Sequence, residues 1–129
     1  MNFLLDTHTF LWFAAGDTSL SKRARVLIEN KENRAFLSAA SLWEIAIKVS
    51  LKKLELTEPF EKLIPEQLEN NGIELLDICI SHAATVATLP FHHRDPFDRL
   101  LIAQAKVEQI PIISVDKIFD TYKVERIWH

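Results

Sequence analysis

The stretch NFLLDTHTFLWFAAG, residues 2–16, holds one complete unit of a repeating fold. Asn2–Leu5 is an apolar run of strand length with no polar alternation, the pattern of a strand buried on both faces of a parallel sheet. Asp6 follows it directly. Thr9–Ala15 then reads as a helix, and Gly16 stands where a helix stops, because glycine accepts the left-handed conformation of a helix end.

The same alternation continues outward. Ser21–Lys31 reads as a helix with Ala24, Leu27 and Ile28 on one face, and Arg34–Leu37 as a strand. Ser38 is placed to cap a helix over Ala39–Leu51. Pro59–Asn70 is a further helix with Pro59 near its first turn. Pro65 is a candidate break in it, and Gly72 ends it. Ile73–Leu76 reads as a strand and Ser81–Thr88 as a short helix. Pro96–Glu108 is a strong helix with Pro96 at its first position. Ile110–Val115 reads as a buried strand, Asp116–Tyr122 as a helical turn and Val124–Ile127 as a final edge strand. Strands alternating with helices predict an α/β fold: a central parallel sheet of about five strands, covered by helices on both faces.

Bulk properties set the limits. With 129 residues, 48% hydrophobic and 26% charged, the sequence predicts one globular domain over residues 1–129. A chain of this length buries roughly two thirds of its unfolded surface. Two glycines and no repeat or low-complexity tract leave no linker. The single cysteine, Cys79, forms no disulfide within the chain and fits a reducing compartment, hence a cytoplasmic protein. No basic-headed leader is present, and no run approaches the roughly 20 apolar residues of a membrane span. A formal net charge of −3 excludes a large basic nucleic-acid-binding face. It leaves open a nucleic-acid enzyme whose positive charge is supplied by metal ions.

In open parallel sheets, ligands gather beyond the carboxyl ends of the strands. Asp6 follows the first strand and Asp116 follows Ile110–Val115, so two carboxylates fall along one sheet edge. Each is also a good helix cap. Glu44 is the only acid between Arg34 and Lys53, in a helix apolar nearly all round. It pairs with Lys48 four residues on or finds a cation, because an isolated charge in an apolar setting is costly. In LPFHHRDPFDRLLIAQA, residues 89–105, Asp95 and Pro96 fit the N-cap and first position of a helix. Asp98 shares its helical face with Leu101, Ile102 and Ala105, which places its carboxylate at the mouth of the core. Acids converging from four elements repel one another unless cations bind, and hard oxygen ligands select Mg²⁺ or Mn²⁺. Such ions position a water, lower its pKa and stabilise charge on a phosphoryl group.

The segments FLLDTHTFLW, LSAASLWEIAIK, DPFDRLLIAQA and IISVD, in this order, resemble the PIN domain family across essentially the whole chain. They are most similar to the VapC-type toxins of toxin–antitoxin pairs. The resemblance implies a three-layer α/β/α sandwich and a Mg²⁺- or Mn²⁺-dependent endoribonuclease. It implies that Asp6, Glu44, Asp98 and Asp116 are both the metal ligands and the catalytic acids, with Asp95 and Ser114 as additional candidates. It implies an RNA substrate, a homodimer and a cognate antitoxin. One position departs: after Asp-Thr many members carry Asn or Ser, and this chain has His8, which alters the surroundings of the first acid.

Other residues carry simpler expectations. His92 and His93 read as solvated loop residues. Arg94 and Arg99 are candidates for RNA phosphate or for neighbouring acids. Trp12 and Trp43 favour core or dimer packing over base stacking, and Cys79 reads as a small core residue. KVSLKKLEL reads as a solvated face. Two other functional classes compete. One is a non-catalytic PIN-like module that binds RNA or protein. The other is phosphotransfer through an aspartyl phosphate. A haloacid-dehalogenase-like site needs a second Asp where His8 stands. A receiver domain needs a Lys after a later strand, where this chain has Ser-Val-Asp.

Overall fold

The computed structural model describes residues 1–129. It has five strands: β1 (Asn2–Leu5), β2 (Arg34–Ser38), β3 (Glu74–Leu76), β4 (Ile112–Ile113) and β5 (Arg126–Ile127). Six α-helices lie between them: α1 (Thr7–Ala15), α2 (Lys22–Glu29), α3 (Ala39–Ser50), α4 (Phe60–Asn71), α5 (Ile80–Thr88) and α6 (Pro96–Glu108). A 3-10 helix covers Lys117–Tyr122. The strands form one sheet in the order β3-β2-β1-β4-β5, and every pairing is parallel.

Central position explains the apolar first strand. Leu4 pairs with Phe36 of β2 on one side and with Ile112 of β4 on the other. Successive side chains leave opposite faces of a strand. Phe3 and Leu5 therefore enter a core with Phe10, Ala24, Ile28, Leu37 and Ile45. Leu4 enters a second core with Leu101, Ile102, Ala105, Ile112, Phe119 and Tyr122. The sheet is thus covered on both faces. The chain leaves β1 toward β2 in one direction and reaches β4 in the other, so strand order reverses at β1. Such a switch point opens a crevice at the carboxyl ends of the two strands.

Local chemistry sets the helix ends. Ser21, Ser38 and Asp95 accept hydrogen bonds from backbone N–H groups in the first turns of α2, α3 and α6. Gly16 and Gly72 close α1 and α4 at φ 64° and 62°, where a side chain is strained. Three expectations are corrected. Pro65 does not break α4, which runs through it. Its ring faces solvent, and Ile64 and Leu68 anchor the helix on the core, which outweighs one lost backbone bond. The strand expected over Ile110–Val115 shortens to Ile112–Ile113: Pro111 has no N–H for the ladder on one side, and after Ser114, whose N–H still bonds Ile127, the chain turns into the Asp116 cap on the other. Cys79 is exposed, not core, since it stands at the start of α5.

Candidate active site

Asp6 is the residue after β1 and is 6% exposed. Its Oδ1 accepts the Thr7 N–H at 2.8 Å and its Oδ2 accepts the Ser114 hydroxyl at 2.7 Å. Ser114, one residue beyond β4, also accepts the Asp116 N–H at 3.0 Å. One buried hydroxyl thereby joins the ends of β1 and β4. Burial pushes Asp6 above the ordinary carboxylate range, against the lowering effect of these two hydrogen bonds.

Glu44 projects from the second turn of α3. Thr7 donates its hydroxyl to Glu44 Oε1 at 2.7 Å. Lys48 lies 3.2 Å from Oε2, so the i+4 ion pair and the cleft position both hold. Asp116 caps the 3-10 helix through the Ile118 N–H at 3.0 Å and is exposed at the rim. Asp95 caps α6 by accepting the Asp98 N–H at 2.9 Å.

Asp98 is where these groups meet. Desolvation comes first in raising it, followed by the charges of Asp95, Asp6, Asp116 and Glu44, and together they push it up to about 8. Charges act on one another across several ångströms, so the acids singled out by their sequence positions share one neighbourhood at the sheet edge. They stop short of a closed cage, for no three acidic, His or Cys side chains stand in metal-holding geometry. The donor set is nevertheless all carboxylate oxygen, self-repelling and partly desolvated. That chemistry fits a hard divalent cation.

Residues 3–125, which carry all five acids, match the family described as PIN domain. The chain belongs to the PIN domain family. This PIN domain is 28% identical over 124 residues to Ribonuclease VapC22 of Mycobacterium tuberculosis, covering 95% of this chain and 93% of that protein. It is 37% identical over 60 residues to Ribonuclease VapC16 of the same organism, which is 46% of this chain and 43% of that protein. That second match spans less than half of either chain. Among solved structures, VapBC2 from Rickettsia felis, bound to a DNA fragment from its promoter, superposes with a TM-score of 0.74 over 100% of both chains. Its sequence identity of 16% makes this a likeness of fold alone.

Two residues that touch the candidate acids were not singled out by the sequence. Thr7 holds Glu44; the only signal was a hydroxyl beside the first acid. His93, expected in solvent, is half-buried, with Nε2 at 3.2 Å from Asp98 Oδ2. Its partners lie far along the chain and left no local pattern. His92 is exposed as expected. Arg99 is not available to phosphate or to acids. It is 4% exposed and donates to the carbonyls of Pro90 and Leu89 at 2.8 and 3.2 Å. Trp12 is half-buried against Trp128, but Trp43 is exposed and meets Phe97 edge-on at 5.8 Å. In KVSLKKLEL, Leu54 and Leu56 pack on the core while Lys52 and Lys53 face solvent.

Proposed function

We propose that this chain, acting as one domain, is a metal-dependent endoribonuclease that hydrolyses RNA phosphodiester bonds. The observation that carries the reading is Asp98, which feels the charges of Asp6, Asp116 and Glu44 from three other elements and of Asp95 at its own helix start, at the switch point of the sheet. A ribonuclease name on a relative matching nearly the whole chain supports it. Asp6, Glu44, Asp98 and Asp116 would hold Mg²⁺ or Mn²⁺. When bound, the cation supplies Lewis acidity and positive charge for hydrolysis of a phosphodiester.

The chain's own residues set up the site. Ser114 turns Asp6 and fixes the backbone before Asp116. Thr7 holds one oxygen of Glu44, and Lys48 offsets its charge. Asp95 starts α6 and so aims Asp98 into the cleft. The expected products carry 5′-phosphate and 3′-hydroxyl ends. We further infer that the chain is the toxin of a toxin–antitoxin pair, forming a homodimer and a complex with a cognate antitoxin. The fold it shares with chains of a VapBC complex supports this. No helix is long and apolar enough to cross a membrane.

The test is cleavage of a single-stranded RNA with Mg²⁺ or Mn²⁺. Wild type cuts it. Asp6→Asn and Asp98→Asn fold and do not. Undiminished cleavage by either variant would sink the assignment.

A further inference from the structure

Three separate segments converge on one imidazole beside the acids. Tyr122, at the end of the 3-10 helix, is 2% exposed. Its phenol oxygen accepts the backbone N–H groups of His92 and His93 at 3.2 and 3.1 Å. Arg99 Nη1 lies 3.4 Å from the same oxygen. The phenol has one proton to give, and its shortest acceptor is His93 Nδ1 at 2.7 Å. Nδ1 is then the acceptor nitrogen of the neutral ring, which leaves the ring proton on Nε2. That N–H points at Asp98 Oδ2, 3.2 Å away.

The support beneath this ring is costly to build. Arg99 is a buried cation with no carboxylate partner. It is spent on backbone carbonyls of residues 89 and 90 and lies 4.0 Å from the centre of the Phe91 ring. A buried charge needs such compensation, and here its two shortest hydrogen bonds go to the chain that leads to His93, with longer contacts to Val86 of α5 and to the Tyr122 hydroxyl. The His93 ring is the side-chain hydrogen-bond partner of the Asp98 carboxyl.

We propose that His93 is a positioning residue: held through Tyr122 and Arg99, it fixes one oxygen of the Asp98 carboxyl and so sets the orientation in which Asp98 would hold a cation. This rests on the ribonuclease reading. The partners that orient a metal ligand set its affinity, and their loss costs about 10- to 100-fold.

Amide substitutions separate this role from loop packing. Glutamine places an N–H where Nε2 stands and can still reach Asp98. Asparagine places its polar atoms where Nδ1 stands and can reach only Tyr122. Mn²⁺ alone is titrated by calorimetry into wild type, His93→Ala, His93→Asn and His93→Gln, each with an unchanged thermal melt. The expected result is Mn²⁺ affinity lower by about tenfold or more in Ala and Asn and largely restored in Gln. RNA cleavage follows in kcat, with KM unchanged. Asn binding Mn²⁺ like wild type, or Gln binding as weakly as Ala, overturns the proposal.

A wild type that neither binds Mn²⁺ nor cuts RNA overturns the ribonuclease reading instead. The ¹⁵N shifts of the His93 ring in the metal-free protein then decide the positioning contact alone. An Nε2–H tautomer that becomes mixed in Tyr122→Phe upholds it, and an Nδ1–H tautomer in wild type overturns it.

Discussion

Asp98 meets Asp95, Asp6, Asp116 and Glu44 as like charges and the His93 ring as a hydrogen-bond partner, and it is pushed up to about 8. In an unfolded chain an aspartate titrates near 3.9. Between roughly pH 4 and 8 the folded metal-free protein therefore binds a proton that the unfolded chain has lost. Stability falls as pH rises through that window and levels off above it. Asp6, raised by burial, acts in the same direction. Thermal melts in chelator are expected to show this decline, and Asp98→Asn to lose most of it. A melting temperature that climbs across the window would contradict the raised carboxyl. Ser114 gives a second expectation at this scale. Ser114→Ala removes a donor that lowers Asp6. It should cost about 1 kcal/mol of stability and about tenfold in Mn²⁺ affinity, read by melts and calorimetry. The five acids were legible in sequence because each stood at a strand end, at a helix start or alone in an apolar helix. Thr7 and His93 were not, because their meaning lies in partners such as Glu44 and Tyr122, brought close only by folding.

At the level of elements, α6 shows how one helix start serves two ends. Pro96 and the Asp95 cap fix where the helix begins, and that start places Asp98 in its first turn over the sheet edge. If Asp95 acts through the cap, Asp95→Ala should cost about 1 kcal/mol and Asp95→Ser much less. Asp95→Ser should then keep RNA cleavage near the wild-type rate. Cleavage lost in Asp95→Ser at an unchanged melting temperature would make Asp95 a ligand instead. The helices were legible from caps and apolar spacing, and their ends shifted by a residue or two. The last strands were less so. Apolar length suggested six residues for β4, but strand length depends on which N–H groups find a partner. Pro111 offers none, and the ladder closes on Ile112–Ile113. Pro65 misled in the opposite sense, because a tertiary anchor on the core decides whether a helix tolerates a proline.

On the scale of the whole molecule, the stability of the sheet and the chemistry of the site oppose each other. A parallel sheet reversing at β1 gathers five acids at one edge of a chain whose formal net charge is already −3. A cation that binds only the folded state stabilises it by mass action, about 2.7 kcal/mol at a hundred times Kd. For a domain of this size that is a rise of roughly 8–16 °C in melting temperature. Melts of wild type with increasing Mn²⁺ should show such a rise, growing with pH as Asp98 gives up its proton. Asp98→Asn should do the reverse on both counts: melt higher than wild type in chelator, because folding no longer has to protonate a carboxylate or hold its charge among the others, and respond little to Mn²⁺. Separate origins for the two effects would leave them uncorrelated. A variant that is more stable without the ion and indifferent to it ties the repulsion and the binding to one carboxylate. An Asp98→Asn protein that melts lower in chelator yet still gains from Mn²⁺ would place the ion elsewhere in the fold.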